Sequence, residues 1–370
     1  MTQRSRGVVL REFREPLVVE EVEVPAPRPG AIVVQVTYGG ICGTDVHLCH
    51  GRLPMALPVL LGHEGVGVVR ALGDGVESDF LGAPLHEGDV VAWASNIPCG
   101  KCYWCVAKGE RTLCPNRQVY GITRRFDEWP QLSGGWADYI YLQPGTTLVR
   151  LPEGVTPEDA ISLGCAGPTA VHGVVHRTGI ELGDVVVVQG SGPVGLASAM
   201  YAHVTGARKV ILVGGPAGRL ELAREAGVGD MHIDIFELSD PAERVRRVLA
   251  ETDGARGADV VLECTGVPAS VPEGLEMARR GGKYLVLGHY TDSGSVPLNP
   301  HVITRKQLQV LGSWAFAESH YVEYIQSLPQ LRARFDLGRL LTVYPLEEAN
   351  QALAAVAAGE VMKGVLRPRP

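Results

Sequence analysis

Short apolar runs broken by proline and glycine fill the first third of the chain. Gly7-Val8-Val9-Leu10, Leu17-Val18-Val19-Glu20 and Ile32-Val33-Val34-Gln35-Val36 are rich in β-branched residues, and Pro27-Arg28-Pro29-Gly30 makes a turn between the last two. Residues 66–73 and 89–93 repeat the pattern on either side of a turn at 85–89. The chain to about residue 150 therefore reads as a mainly β domain with irregular, barrel-like strands.

From Gly183 the pattern changes. Val185-Val186-Val187-Val188-Gln189 is an unbroken apolar strand of the kind buried on both faces of a parallel sheet. Gly190-Ser191-Gly192-Pro193-Val194-Gly195 follows, and residues 196–205 read as a helix. A strand, a G-x-G-x-x-G turn and a helix in that order suit a dinucleotide pyrophosphate, because glycine lets backbone N–H groups and the helix N-terminus approach it. Gly190, Gly192, Pro193, Val194 and Gly195 are therefore candidate cofactor contacts. Further strands are expected at 209–213, 231–235, 259–263, 283–287 and 308–311. Helices at 219–226 and 241–251 lie among them, the second capped by Ser239 or Asp240 with Pro241 in its first turn. Six strands alternating with helices predict a doubly wound Rossmann sheet. Helical pieces at 320–327 and 346–359 precede Gly364-Val365-Leu366.

At 370 residues there is room for about two domains and a full core. The net charge of −7 argues against nucleic acid as a partner, since phosphate binding wants a basic surface. No apolar stretch approaches the ~18 residues of a membrane span, and none follows the arginines of residues 1–13 as a secretory signal would. A soluble, cytoplasmic protein is expected.

The eight cysteines change the picture more. Cys99, Cys102, Cys105 and Cys114 fall within sixteen residues. Two residues between successive thiolates let neighbouring sulfurs share one centre, and four of them close a structural zinc site with no room for substrate. A second group is of a different kind. Gly40-Ile41-Cys42-Gly43-Thr44-Asp45-Val46-His47 and Leu61-Gly62-His63-Glu64 offer a thiolate, an imidazole and a carboxylate of metal-ligand type, with a hydroxyl and a second imidazole able to move a proton. Zinc takes such sulfur and nitrogen ligands, and a catalytic site keeps one position open. The best third ligand is Cys165. Cys264 lies in an apolar run and reads as a core residue; Cys49 has no assigned role.

With Cys42-Gly-Thr-Asp, Gly62-His63-Glu64, the four-cysteine lobe and the Gly190 loop in this order, the chain resembles the zinc-dependent medium-chain alcohol dehydrogenases over nearly its whole length. The resemblance implies a GroES-like catalytic domain over 1–162 with a structural-zinc lobe at 96–116, a Rossmann domain inserted at 163–314, and a return to the catalytic domain over 315–370. It implies that Cys42, His63 and Cys165 hold a catalytic zinc, with Glu64 beside it as an outer or exchangeable fourth ligand. Cys99, Cys102, Cys105 and Cys114 would hold the structural ion, two zincs per chain in all. Asp45 would orient His63, as carboxylates do for metal-bound imidazoles. Thr44 would hydrogen-bond the substrate oxygen, His47 would pass its proton to solvent, and Thr169 would pack on the nicotinamide. The implied activity is NAD(P)-dependent hydride transfer between an alcohol and its aldehyde or ketone. A homodimer or homotetramer is expected, with the apolar strand before Trp314 as the edge that pairs two sheets.

Two departures stand out. The interval from Cys105 to Cys114 is one residue longer than the family's usual spacing. At the end of the second Rossmann strand, where NAD enzymes carry an acidic residue for the ribose, this chain reads Val213-Gly214-Gly215-Pro216. Loss of the carboxylate removes its repulsion of a 2′-phosphate, and Arg219 follows closely; NADP is expected over NAD, with Gly214, Gly215 and Arg219 at that end of the cofactor. A non-catalytic, zinc-stabilised NAD(P)-binding or redox-sensing protein is the competing expectation. The intact set of Cys42, Thr44, His47, His63 and Cys165 argues against it.

Overall fold

Ile32–Gly40 is buried along most of its length and carries partners on both edges. In the computed structural model, which describes residues 3–369, this strand pairs antiparallel with Gly65–Leu72, Tyr139–Leu142 and Lys363–Arg367. Val90–Trp93 and Leu148–Arg150 extend the sheet on one side, and Leu341–Pro345 on the other. A smaller sheet joins Val18–Glu23, Arg4–Leu10 and Val59–Leu60. The apolar pattern predicted the strands near residues 7–10, 17–20, 32–36, 66–73 and 89–93, because one face of each points inward, against cores around Val34, Trp93 and Ile140 and around Val9, Leu60 and Tyr141. The short strands Val59–Leu60, Tyr139–Leu142, Leu148–Arg150 and Leu341–Pro345 were not singled out. These elements form one of two units: the chain up to Cys165, residues 317–329, and the chain from Leu340 on.

The second unit takes Ala166–Phe316 and Gln330–Arg339. Its six parallel strands run in the spatial order Met231–Asp234, Lys209–Gly214, Val185–Gln189, Ala258–Glu263, Ala278–Val286, Gln309–Gly312. Chain order reverses at Val185–Gln189, which is the doubly wound arrangement with its switch point beside the Gly190 turn. Val185, Val187, Ile211, Val213 and Val261 fill the core beneath. Pro193–Thr205 is buried nearly throughout, and Asp240 caps Pro241–Ala250 by accepting from Ala242 N–H at 3.0 Å.

Three elements differ from expectation. The strand expected at 283–287 starts at Ala278, because Ala278 already pairs with Ala258 before a register shift; the polar Arg279-Arg280-Gly281-Gly282 hides this in the apolar pattern. The helix expected at 320–327 runs over Glu318–Arg334 through Pro329. Residues 330–339, expected with the tail that rejoins the first domain, instead pack on the second unit: Asp336 N–H donates to Ala226 O at 3.2 Å, and Arg339 pairs with Glu225 at 2.9 Å. No helix among the described residues is long and apolar enough to cross a membrane.

Candidate active site

Within the first unit the metal-type side chains come from three places. Cys42 is the N-cap of Gly43–Cys49, where its sulfur accepts from Thr44 N–H at 3.3 Å and Asp45 returns a bond to Cys42 N–H at 2.9 Å. This reciprocal cap fixes the thiol at the helix start. His63 and Glu64 sit in the turn into Gly65–Leu72. The turn needs Gly62: its φ is +101°, and a Cβ there would lie 2.5 Å from Trp136 N. Cys165 follows Pro157–Ser162, whose first turn is closed by a second capping box between Thr156 and Asp159.

These residues converge. Cys42 Sγ lies 3.2 Å from His63 Nε2 and 3.5 Å from Cys165 Sγ. Glu64 Oε1 is 3.9 Å from His63 Nε2, and all four ligand atoms fall within 4.8 Å of one another. Tetrahedral bonds of about 2.0–2.3 Å put neighbouring ligand atoms roughly 3.3–3.8 Å apart, so the donor set fits zinc. Asp45, with no exposed surface, accepts from His63 Nδ1 at 3.1 Å through its other oxygen. It thereby holds two candidate ligands at once.

The electrostatics follow from burial among charges. A proton shared with Cys165 pushes the Cys42 thiol well below its ordinary range, against burial, and His63 helps; Cys165, the donor, is raised. A cation in place of that proton would let both thiols ionise. Burial lifts Asp45 to about 6. Burial opposes charge on His63, yet Asp45 and Cys42 override it and raise the imidazole. His47, half-buried on the same helix, is lowered by burial and then by Arg52.

Two residues here were missed by sequence reasoning. Lys363, on the last strand, is 1% exposed and ion-paired to Glu64 Oε2. Burial would pull its ammonium down, but Glu64, Cys165 and Cys42 raise it overall. Tyr321 is buried in hydrogen-bond contact with the Trp93 backbone; burial pushes its hydroxyl up and the Glu64 charge adds to this. Neither carries a metal or glycine motif that spacing could reveal.

The four-cysteine lobe closes on itself. Cys102 Sγ lies 3.5 Å from Cys105 Sγ and 3.9 Å from Cys114 Sγ, and Cys99 N–H donates to Cys114 Sγ at 3.3 Å. The longer interval before Cys114 is taken up by a wide turn at Trp104–Lys108, Gly109 in the left-handed region and a short turn at Arg111–Leu113. All four sulfurs lie within 4.8 Å of one another, which again fits zinc.

In the second unit, Gly195 packs so closely on the turn that a Cβ there would meet Gly190 O at 1.9 Å. Ser191 Oγ accepts from Gly215 N–H at 3.0 Å and donates to Gly215 O at 3.1 Å, tying the turn to the end of the second strand. Arg219 reaches over the turn: a Cβ on Gly192 would sit 4.0 Å from its Nη1. Asp234, not singled out from sequence, pairs in register with Gly214, and a Cβ on Gly215 would lie 3.3 Å from its Oδ1. That oxygen accepts from Phe236 N–H at 2.8 Å. Thr169 is half-buried on Ala166–Ala170. Two histidines outside the metal cluster are engaged with the backbone: His172 Nδ1 lies 2.8 Å from Ala315 O, and His232 Nε2 lies 2.8 Å from Val228 O.

Comparison with known proteins agrees with this arrangement. The alcohol dehydrogenase GroES-like domain matches residues 28–153, and the zinc-binding dehydrogenase domain matches 193–330. The 5-exo-hydroxycamphor dehydrogenase of Pseudomonas putida is 36% identical over 98% of this chain and 99% of its own. An alcohol dehydrogenase of Thermotoga maritima superposes with a TM-score of 0.92 at 36% identity, covering 99% of this chain and 100% of that one. A zinc-binding dehydrogenase of Sinorhizobium meliloti, solved with NADP, gives 0.85 at 29% identity, with 99% and 100% covered. The chain belongs to the zinc-dependent medium-chain alcohol dehydrogenase family, and is an oxidoreductase that moves a hydride between an alcohol, or its carbonyl, and a nicotinamide cofactor.

Proposed function

We propose that this member of the family is an NADP-preferring dehydrogenase of cyclic secondary alcohols and their ketones, with one catalytic and one structural zinc. The observation that carries the catalytic reading is the convergence of Cys42, His63 and Cys165 on one point, with Asp45 bonded behind two of them. Those three residues would hold the catalytic ion, and Cys99, Cys102, Cys105 and Cys114 the other. When bound, zinc supplies a Lewis acid that makes an alcohol hydroxyl more acidic or a carbonyl more electrophilic. The chain's residues do the rest. Asp45 keeps His63 in one orientation, and the Thr44 hydroxyl hydrogen-bonds the substrate oxygen, taking its proton as it gives its own toward His47. His47, three residues on and so on the same helix face, relays that proton to solvent. Burial, and then Arg52, lower its basicity, so an imidazolium formed there gives its proton up readily to solvent.

On the cofactor side, the Gly190–Gly195 turn would receive the pyrophosphate and Thr169 would pack on the nicotinamide. Gly214 and Gly215 carry no carboxylate to repel a 2′-phosphate, and Arg219 would supply the positive charge that meets it. Binding of NADP to the Sinorhizobium relative supports this reading. NAD is the second reading, favoured by the Asp234 carboxylate beside Gly215. For the substrate, the Pseudomonas relative's name denotes a rigid bicyclic alcohol. At the carboxyl ends of the last two parallel strands, where doubly wound sheets place ligands, Tyr290 and Trp314 stack at 4.8 Å, with Trp314 41% exposed. Such a face suits an apolar ring better than a polyol. The exposed edge of Gln309–Gly312 would pair sheets in a homodimer or homotetramer.

The test is a fluorescence titration of zinc-loaded protein with NADPH and NADH, followed by turnover on a bicyclic alcohol and on a polyol. Tighter NADPH binding and higher kcat/KM on the ring alcohol are expected. Tighter NADH binding would replace the cofactor reading, and polyol preference the substrate reading.

A further inference from the structure

Glu64 lies near enough to the candidate metal centre to enter it, yet both its oxygens are already engaged. Oε1 accepts from Cys165 N–H at 2.9 Å, and Oε2 is paired with the Lys363 ammonium. Both partners of the ion pair are almost fully buried, with side chains 1% and 2% exposed. Two glycines close the remaining sides: a Cβ on Gly40 would meet Glu64 Oε2 at 1.9 Å, and one on Gly164 would meet it at 2.2 Å and Lys363 Nζ at 2.6 Å. The carboxylate thus occupies a slot formed by a cation, a backbone donor and two bare Cα atoms.

We propose that Lys363 is a positioning residue of the metal centre: its ammonium holds the Glu64 carboxylate outside the ligand shell, so that the fourth coordination position stays open to substrate. The inference rests on the catalytic-zinc reading above. Its physical basis is charge. A buried carboxylate requires a counter-charge close by, and loss of one partner of a buried pair leaves the other uncompensated. Without Lys363 the remaining cation within reach of Glu64 is the metal. Cys42, Cys165 and Glu64 as anions already carry one negative charge more than zinc neutralises, before Asp45 is counted, so the Lys363 ammonium offsets charge that the metal cannot. The Cys165 N–H alone is a weaker hold than an ammonium.

The experiment uses the full chain with cobalt(II) in place of zinc, whose visible absorption reports coordination number and response to an added ketone or to imidazole. Lys363→Met should shift the resting spectrum, abolish its response to the added ligand and lower kcat/KM about 10–100-fold. Lys363→Arg should retain the response. The double variant Lys363→Met with Glu64→Gln removes both charges and should regain it, because an amide has no charge to draw it into the shell. A Lys363→Met protein with the parent spectrum and response would overturn the proposal, as would a double variant that folds and binds cobalt but stays unresponsive. If Lys363→Met alone fails to fold, the Arg and double variants still decide. A parent protein that takes up no cobalt would defeat the metal reading itself.

Discussion

Asp45 Oδ1 lies 3.1 Å from His63 Nδ1, and the Asp45 side chain is wholly buried. The pairing fixes the imidazole so that Nε2, not Nδ1, faces the two thiols. Asp45→Asn keeps the shape but removes the charge. It should weaken zinc binding about 10–100-fold, measured by competition with a chromogenic chelator. Unchanged affinity would show that packing alone orients His63.

The cysteine lobe should behave independently of the catalytic centre. Tyr103 and Val106 are 58% and 70% exposed, so the lobe has little core of its own. Cys102→Ser should lower zinc content from about two ions per chain to about one and reduce Tm, with the remaining ion still responsive to substrate. Retention of both ions would remove Cys102 from the ligand set.

A pH profile tests the relay. Burial, followed by Arg52, holds His47 below its ordinary 6.5. A depressed histidine loses its proton earlier as pH rises, so alcohol oxidation should climb through a limb centred below 6.5 and then level off. His47→Gln should erase that limb and slow turnover about 100-fold with zinc content unchanged. Persistence of the limb would assign it to another group.

Arg219→Ala separates the two cofactor readings. Loss of a charge-assisted contact to a phosphate costs about 1.5–3 kcal/mol, so NADPH binding should weaken about 10–100-fold while NADH changes little. Equal losses for both would place Arg219 at the shared pyrophosphate.

Trp314→Ala tests the aromatic face. It should raise KM for a bicyclic alcohol about 10-fold and leave a polyol nearly unaffected. Parallel changes for both would return Trp314 to a packing role.

Much of this molecule was legible without coordinates, and the reason is range. The Val185–Gln189 strand, the Gly190 turn and the four cysteines of the lobe are local patterns, each set by a few consecutive residues whose spacing dictates which chemistry can converge. Cys42 and Asp45 are also only three residues apart, but the capping box that they close shows in the structure alone. Strand limits were less legible where polar residues occupy paired positions, as at Arg279 and Arg280.

What only the tertiary structure decided is the company those local motifs keep. Lys363 meets Glu64 across 299 residues because the strand Lys363–Arg367 pairs beside Ile32–Gly40, through Val365 with Gly40 and Leu366 with Gly39. Asp234 approaches Gly215 because the third Rossmann strand runs in register with the second. A lone lysine or aspartate in a sequence is most simply a solvated surface group. Sheet register, set by burial of apolar faces far from the site, is what brings each of them to a place that its own neighbours in the sequence do not show.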